Sequence, residues 1–220
     1  MARIDAPRLY EFYINFFNDI VFDTPQFNQF ISRTPMLKAL KGVRVTFEDR
    51  AASVNLSSMV SPAASSYRAL IVRISCRDSD WQVSSLEQVC ASCLPPLSTL
   101  KDLYISEDQF SRPARQDNVE GPQWLELLHP FTALKNLYLS REFVPRIAPA
   151  LQELVGGRTT EVLPTLQNIF LEGFEPSEPV PEGIGKFIAA RQVTSHPIVV
   201  TDWEMGDDED EVMWDWLEQG

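Results

Sequence analysis

Leu97-Ser98-Thr99-Leu100-Lys101-Asp102-Leu103-Tyr104-Ile105 constrains this chain more than any other stretch, because its pattern returns. Apolar residues stand at its first, fourth, seventh and ninth positions. Phe131 to Leu139 has the same form 34 residues later, and Leu163 to Leu171 has it again after a further 32. Projected towards the N-terminus, the shorter core L-x-x-L-x-L fits Leu9, Phe12 and Ile14, then Leu40, Val43 and Val45, and more loosely Ala69, Val72 and Ile74. The middle apolar position therefore recurs at 12, 43, 72, 103, 137 and 169, in steps of 31, 29, 31, 34 and 32. A period of tens of residues marks one supersecondary unit repeated along the chain.

The L-x-x-L-x-L core is that of a leucine-rich repeat, one short strand and one helix per unit. Helical faces fall between the strands, as such a unit requires. Leu86, Val89, Cys90 and Cys93 share one face at i, i+3, i+4, i+7, and Pro95-Pro96 stops that helix. Trp124, Leu125, Leu127 and Leu128 make a shorter one after Gly121-Pro122. Ile147, Ala150, Leu151 and Leu154 make a third, ended by Gly156-Gly157, and residues 183–192 a fourth with Ile184, Phe187 and Ile188 inward. A seventh strand is expected at 197–201, and a second strand or hairpin at Ala52 to Leu56. Residues 57–66 and 110–118 read as exposed loops. Short strands alternating with helices imply parallel strands joined by crossovers. The expected fold is α/β, a leucine-rich-repeat solenoid of six or seven irregular units. Parallel strands line its concave face and helices its convex face, as in a ribonuclease-inhibitor-like arc. Residues 1–203 form that domain, and residues 204–220 an acidic tail expected to be disordered.

Charge separates these two parts. The net charge is −12, yet nine of the 31 acids lie in residues 202–220 with no Lys or Arg among them. The remainder holds 22 acids against 19 bases, so the acidity belongs to the tail. Neither part has the basic field that nucleic-acid binding needs. No apolar run approaches the length of a membrane span, and Glu11, Asn15, Asn18 and Asp19 interrupt the only candidate leader. Three cysteines do not make a disulfide framework, so the expected location is intracellular, cytoplasmic or nuclear.

Several segments point to a family. Trp81 to Leu86, Leu94-Pro95-Pro96-Leu97 to Ile105, Trp124 to Phe131, Ala150 to Arg158 and Leu163 to Asn168 together resemble the C-terminal half of the large fungal F-box/leucine-rich-repeat family. The similarity spans residues 6–203 and is sharpest from 81 to 191. In that family a helical F-box docks onto the adaptor of a cullin ubiquitin ligase, and the repeat arc presents the substrate. The resemblance thus implies a protein-interaction module for substrate recognition, with an unknown protein as partner. These 220 residues hold no F-box, so adaptor binding is expected only if one is supplied elsewhere. Solenoids also need a cap on each terminal unit, and no helix precedes the first strand. The expectation is the C-terminal part of a longer architecture, or a shortened relative with an improvised cap. The alternative function is a stand-alone repeat protein with no ligase link, and a remote third is an α/β enzyme.

The repeat register nominates the candidate site. Side chains alternate along a strand, so residues between the buried positions face the concave side. One column reads Tyr13, Arg44, Arg73, Tyr104, Tyr138, Phe170, and the next Asn15, Thr46, Ser75, Ser106, Ser140, Glu172. A third contains Asp102, Asn136 and Asn168. Rungs about 4.8 Å apart would stack Tyr104, Tyr138 and Phe170 into an aromatic ladder beside a hydroxyl ladder. Aromatic and Arg side chains are enriched in binding hot spots, although cross-strand aromatic stacking also stabilises sheets without any ligand.

Other motifs carry no chemistry. Cys90 and Cys93 lie within a helix on its apolar face, whereas a redox pair needs a helix N-terminus, and no further ligands stand at zinc spacing. Gly183-Ile184-Gly185-Lys186 lacks the spacer and the Ser/Thr of a phosphate loop. His129 and His196 shape turns beside or near Pro, and no Ser/His/Asp constellation exists. No enzyme activity, cofactor or metal is expected. The tail keeps the chain soluble, or acts as a ligand with Trp214 and Trp216 as anchors and its acids steered towards Arg44 and Arg73.

Overall fold

The computed structural model describes residues 33, 34, 37, 40–57, 68–75, 79–92, 94, 97–107, 121–175 and 177–204, and the backbone of 13–17. Eight strands are described: β1 (Tyr13–Phe17), β2 (Gly42–Glu48), β3 (Ala51–Ser57), β4 (Arg68–Ser75), β5 (Asp102–Glu107), β6 (Asn136–Leu139), β7 (Asn168–Glu172) and β8 (Val199–Trp203). Four α-helices accompany them: α1 (Ser79–Ser92), α2 (Gly121–Leu128), α3 (Val144–Glu153) and α4 (Glu182–Val193). The strands form one open mixed α/β sheet in the order β1-β4-β3-β2-β5-β6-β7-β8. Leu9 and Phe12, the loops expected at 58–66 and 110–118, Cys76, Cys93 and the tail beyond Glu204 lie outside the described residues.

The repeated stretch explains the larger half of the sheet. Within each copy the backbone closes the same turn: Leu100 N–H donates to Leu97 O, Leu134 to Phe131 O and Leu166 to Leu163 O, at 3.0, 3.3 and 3.1 Å. The first and fourth positions go into the core at Leu97, Leu100, Phe131, Leu134, Leu163 and Leu166. Ahead of β2, Leu37 and Leu40 are buried at the corresponding first and fourth positions before Val43 and Val45, but the turn bond there, Leu37 N–H to Thr34 O, falls three residues earlier than in the three later copies. The residue after each fourth position ties one copy to the next. Lys101 N–H donates to Lys41 O, Lys135 N–H to Lys101 O, Gln167 N–H to Lys135 O and Val199 N–H to Gln167 O. These bonds hold β2, β5, β6, β7 and β8 side by side and parallel.

The other half departs from the expected order. Units centred on 43, 72 and 103 should have lain on successive rungs, but β4 is separated from β5 by both β3 and β2. The cause is local. Asp49 and Arg50 form a two-residue turn that folds β3 back on β2, and β4 then pairs antiparallel with β3. The 29-residue step thus contains a returning strand, within the segment where a second strand or hairpin was expected. The free edge of β2 takes β5, and the outer edge of β4 takes β1 in parallel.

One face of the sheet receives the helices. Val43, Val45, Phe47, Leu103, Ile105, Leu137, Leu139, Ile169 and Leu171 are buried in the core with Leu86, Val89, Trp124, Leu128, Ile147, Leu151, Ile184 and Phe187 from the helices. Successive helices touch, α1 on α2, α2 on α3 and α3 on α4. Phe47, Trp124 and Phe143 lock β2, α2 and the entry to α3 together, with ring centroids 4.9 to 5.7 Å apart. Burial of such side chains is worth about 2 to 3 kcal/mol each, which makes this layer the main source of stability.

Candidate binding face

The opposite face of β2 to β8 carries no described helix, and strand alternation places polar and aromatic side chains on it. Register gives its central row from β2 outward as Arg44, Tyr104, Tyr138, Phe170, Thr201. Tyr104 and Tyr138 stack at 4.1 Å between centroids, and Tyr138 and Phe170 at 4.3 Å, with interplanar angles of 13° and 7°. The Arg44 guanidinium lies 5.8 Å from the Tyr104 ring centre, within cation–π range. The aromatic column inferred from the repeats is therefore contiguous from Arg44 to Phe170. Tyr13 falls in the same row by register, through Ile71 and Asn55, but its side chain is outside the described residues, as is that of Asn15.

Arg73 does not belong in this row. It pairs in register with Ser53, which pairs with Thr46, so it stands two residues further along the same face. There it reaches across β3 to Glu48, with Nη1 donating to Oε1 at 2.6 Å and Nη2 to Oε2. That bidentate pairing neutralises it and removes it as a steering charge for the tail. The inserted hairpin accounts for this shift, since it displaced β4 from the rung it was assigned.

Two polar rows flank the aromatic one. Asn136 Nδ2 donates to Asp102 Oδ1 at 2.6 Å, and Asn168 Nδ2 donates to Asn136 Oδ1 at 2.7 Å. Each amide thus serves the rung before it, and the buried Asp102 carboxylate ends the ladder. On the other side run Thr46, Ser106, Ser140 and Glu172, with Ser106 and Ser140 buried. The hydroxyl of Ser140 has no hydrogen-bond partner among the described residues. Glu172 accepts a hydrogen bond from Arg141 N–H at 3.2 Å. Burial raises its pKa, that hydrogen bond opposes the rise, and the nearby Glu142 and Asp202 carboxylates add to it.

Trp203 completes the arrangement, and the sequence pattern missed it. Its ring meets Tyr104 and Tyr138 edge-on at 5.9 and 5.6 Å, and its Nε1–H donates to Leu139 O at 3.2 Å. The expected strand stopped at Thr201. Two more residues of the same alternation would have put Trp203 on this face with Thr201. Tyr104 is buried there, and burial pushes its phenol strongly upward, helped by Tyr138 and Asp102 and opposed by Arg44. Burial likewise raises the Tyr138 phenol, with the neighbouring Tyr104 opposing the rise and Asp102 adding to it.

Exposure then divides the face. Asp102, Tyr104, Ser106 and Ser140 are buried, Tyr104 at 5% exposure. Asn136, Tyr138, Asn168, Phe170 and Glu172 are half-buried, while Thr201 and Val199 are exposed. The accessible part of the row is therefore its β6–β8 end, with Arg44 half-buried beyond Tyr104.

The remaining motifs are structural. Cys90 is buried, and burial followed by the neighbouring Glu87 charge pushes its thiol well above the ordinary range, the opposite of a reactive cysteine. Gly183 lies where α4 meets α3, and a Cβ there would overlap the Ala148 carbonyl. Arg191, which the sequence did not mark, is fully buried and donates to the carbonyls of Thr159, Pro164 and Leu166 at 3.0 to 3.1 Å. It pins α4 to the turn ahead of β7. Among the described residues no group of His, Cys, Asp or Glu has the arrangement of a metal site, and no helix is long and apolar enough to cross a membrane. No protein-family model, curated protein or solved structure matches the chain.

Proposed function

We propose that this chain is a leucine-rich-repeat protein-interaction module that holds a protein partner on its helix-free sheet face. The observation that carries this reading is the half-exposed Tyr138–Phe170 stack between the Asn136–Asn168 and Ser140–Glu172 rows. Flat aromatic surface bordered by polar groups is the composition of binding hot spots. The leucine-rich-repeat assignment rests on three copies of one turn-and-strand pattern on the adjacent rungs β5, β6 and β7. By its resemblance to the fungal F-box/leucine-rich-repeat family, the partner would be a substrate for ubiquitination. The second reading is a stand-alone binding protein with no ligase link.

Affinity capture with the wild-type chain and a Tyr138→Ala/Phe170→Ala double variant tests the face. A specific partner should be depleted by the double variant and retained by an Arg158→Ala variant, whose exposed side chain pairs with Glu161 and belongs to none of the three rows. Equal capture by all three would remove the face from consideration. Ubiquitination separates the two readings. Under the first, the partner's ubiquitinated fraction falls and its abundance rises when the chain is depleted in cells; under the second, both stay constant.

A further inference from the structure

We propose that the outer edge of β8 takes an extended, basic segment of a partner protein as one more strand of the sheet. β8 ends the strand order and, among the described residues, pairs with β7 alone. Their register runs unbroken from Val199 to Trp203. Val199 N–H donates to Gln167 O, so the backbone groups of Val199, Thr201 and Trp203 turn towards β7. By strand alternation those of Val200 and Asp202 turn outward, each with an N–H and a C=O that a further strand can pair.

The usual guards of a sheet edge are missing. Lysines, prolines, bulges or a covering element blunt such edges, because open pairing groups recruit another strand. β8 holds neither Lys nor Pro, and no bulge interrupts its pairing. Its one charged side chain, Asp202, is engaged, with Oδ1 accepting from Phe174 N–H at 2.8 Å. The apolar layer is incompletely covered in this last unit, where Phe174, Val180, Ile188 and Val200 are only partly buried against the core. On the helix-free side Val199 is 58% exposed and Thr201 is exposed too. A strand laid along β8 covers Val200 with one set of its alternating side chains, and Val199 and Thr201 with the other.

Charge selects what adds there. From Glu172 to Glu204 the last unit holds six acids, Glu172, Glu175, Glu178, Glu182, Asp202 and Glu204, against two bases, Lys186 and Arg191. Lys186 is paired with Glu182, and Arg191 is buried against backbone carbonyls. Glu175, Glu178, Asp202 and Glu204 are exposed. In the neighbouring unit Arg141 stands beside Glu142, Arg146 lies over the Phe143 ring and Arg158 is held by Glu161. Lys41, Arg44, Arg50, Arg73, Lys101 and Lys135 belong to strands two or more positions from β8. A segment bearing Lys or Arg therefore meets opposite charge at this edge, whereas a second copy would bring an equally acidic end against it. The edge lies beside the helix-free face, so this inference goes beyond the partner reading above and stands without it.

Amide hydrogen exchange followed by NMR on the full chain tests this, with a short peptide alternating arginine and valine as the probe. In the free chain the Val200 and Asp202 amides should exchange fast, and those of Thr201 and Trp203 slowly. With the peptide at about ten times its Kd, exchange at Val200 and Asp202 should slow about tenfold, the ratio of bound to free chain. A glutamate–valine peptide should leave both rates unchanged. So should the arginine–valine peptide methylated at every amide nitrogen, which keeps the charge and loses the pairing. If the unmethylated arginine–valine peptide slows neither amide at any soluble concentration, the proposal is wrong. Equal slowing by the methylated peptide would reduce the effect to charge attraction and overturn it as well. Slow exchange at these two amides in the dilute free chain would mean that the edge is already taken, and slowing that grows with the protein's own concentration would make a second copy the occupant. Either result contradicts the proposal. The readout is the β8 edge and not capture on the Tyr138–Phe170 face, so the two readings fail separately.

Discussion

Tyr104 and Phe170 belong to one stacked row, yet the physical demands on them differ. Tyr104 is buried and its ring touches those of Tyr138 and Trp203. Replacing it by Ala should cost about 3 kcal/mol of stability, in the range of buried aromatic truncations. Phe170→Ala removes a half-buried ring and should cost about 1 kcal/mol by the area it covers. Urea unfolding of the two variants reads this directly; equal losses would mean the row is uniformly exposed or uniformly buried. Alternation alone put both rings on one face. It did not show that one lies buried beside Trp203, from the last strand, while the other stays accessible. Arg73 illustrates the same limit. Its face was legible from its parity, but its rung was not, because rung assignment depends on which strands pair.

At the scale of elements, the helices were legible because their apolar faces recur at helical spacing, and all four lie within a few residues of where the pattern placed them. Strands β2 and β5 to β7 were legible because their core residues recur in the repeated pattern, and β8 from its short β-branched run. The β2–β3–β4 meander was only half visible. Ala51 to Ser57 read as a strand, but nothing in its composition said that it would stand between its neighbours and send β5 to the far edge of β2. Tertiary pairing decides that. The glycine at 183 shows an element-level constraint hidden in a discarded motif. Gly183→Ala should separate α4 from α3 and cost about 1 to 3 kcal/mol, the usual range for forcing a methyl into a packed contact. The check is a lower urea midpoint with an unchanged slope. A midpoint equal to wild type would mean the two helices slide apart freely.

Across the whole molecule, layered asymmetry carries the functional account. Helices cover one side of an open eight-stranded sheet, and aromatic and amide side chains occupy the other. Sequence periodicity was enough to find the second side, because core leucines and face residues alternate within the same nine-residue stretch. The most direct measurement is the affinity of the captured partner for the purified chain, by calorimetry, with wild type and with Tyr138→Ala/Phe170→Ala. Binding should weaken about tenfold or more, as loss of a hot-spot pair does, while the variant stays folded by circular dichroism. An affinity unchanged from wild type in a folded variant would contradict the assignment of this face.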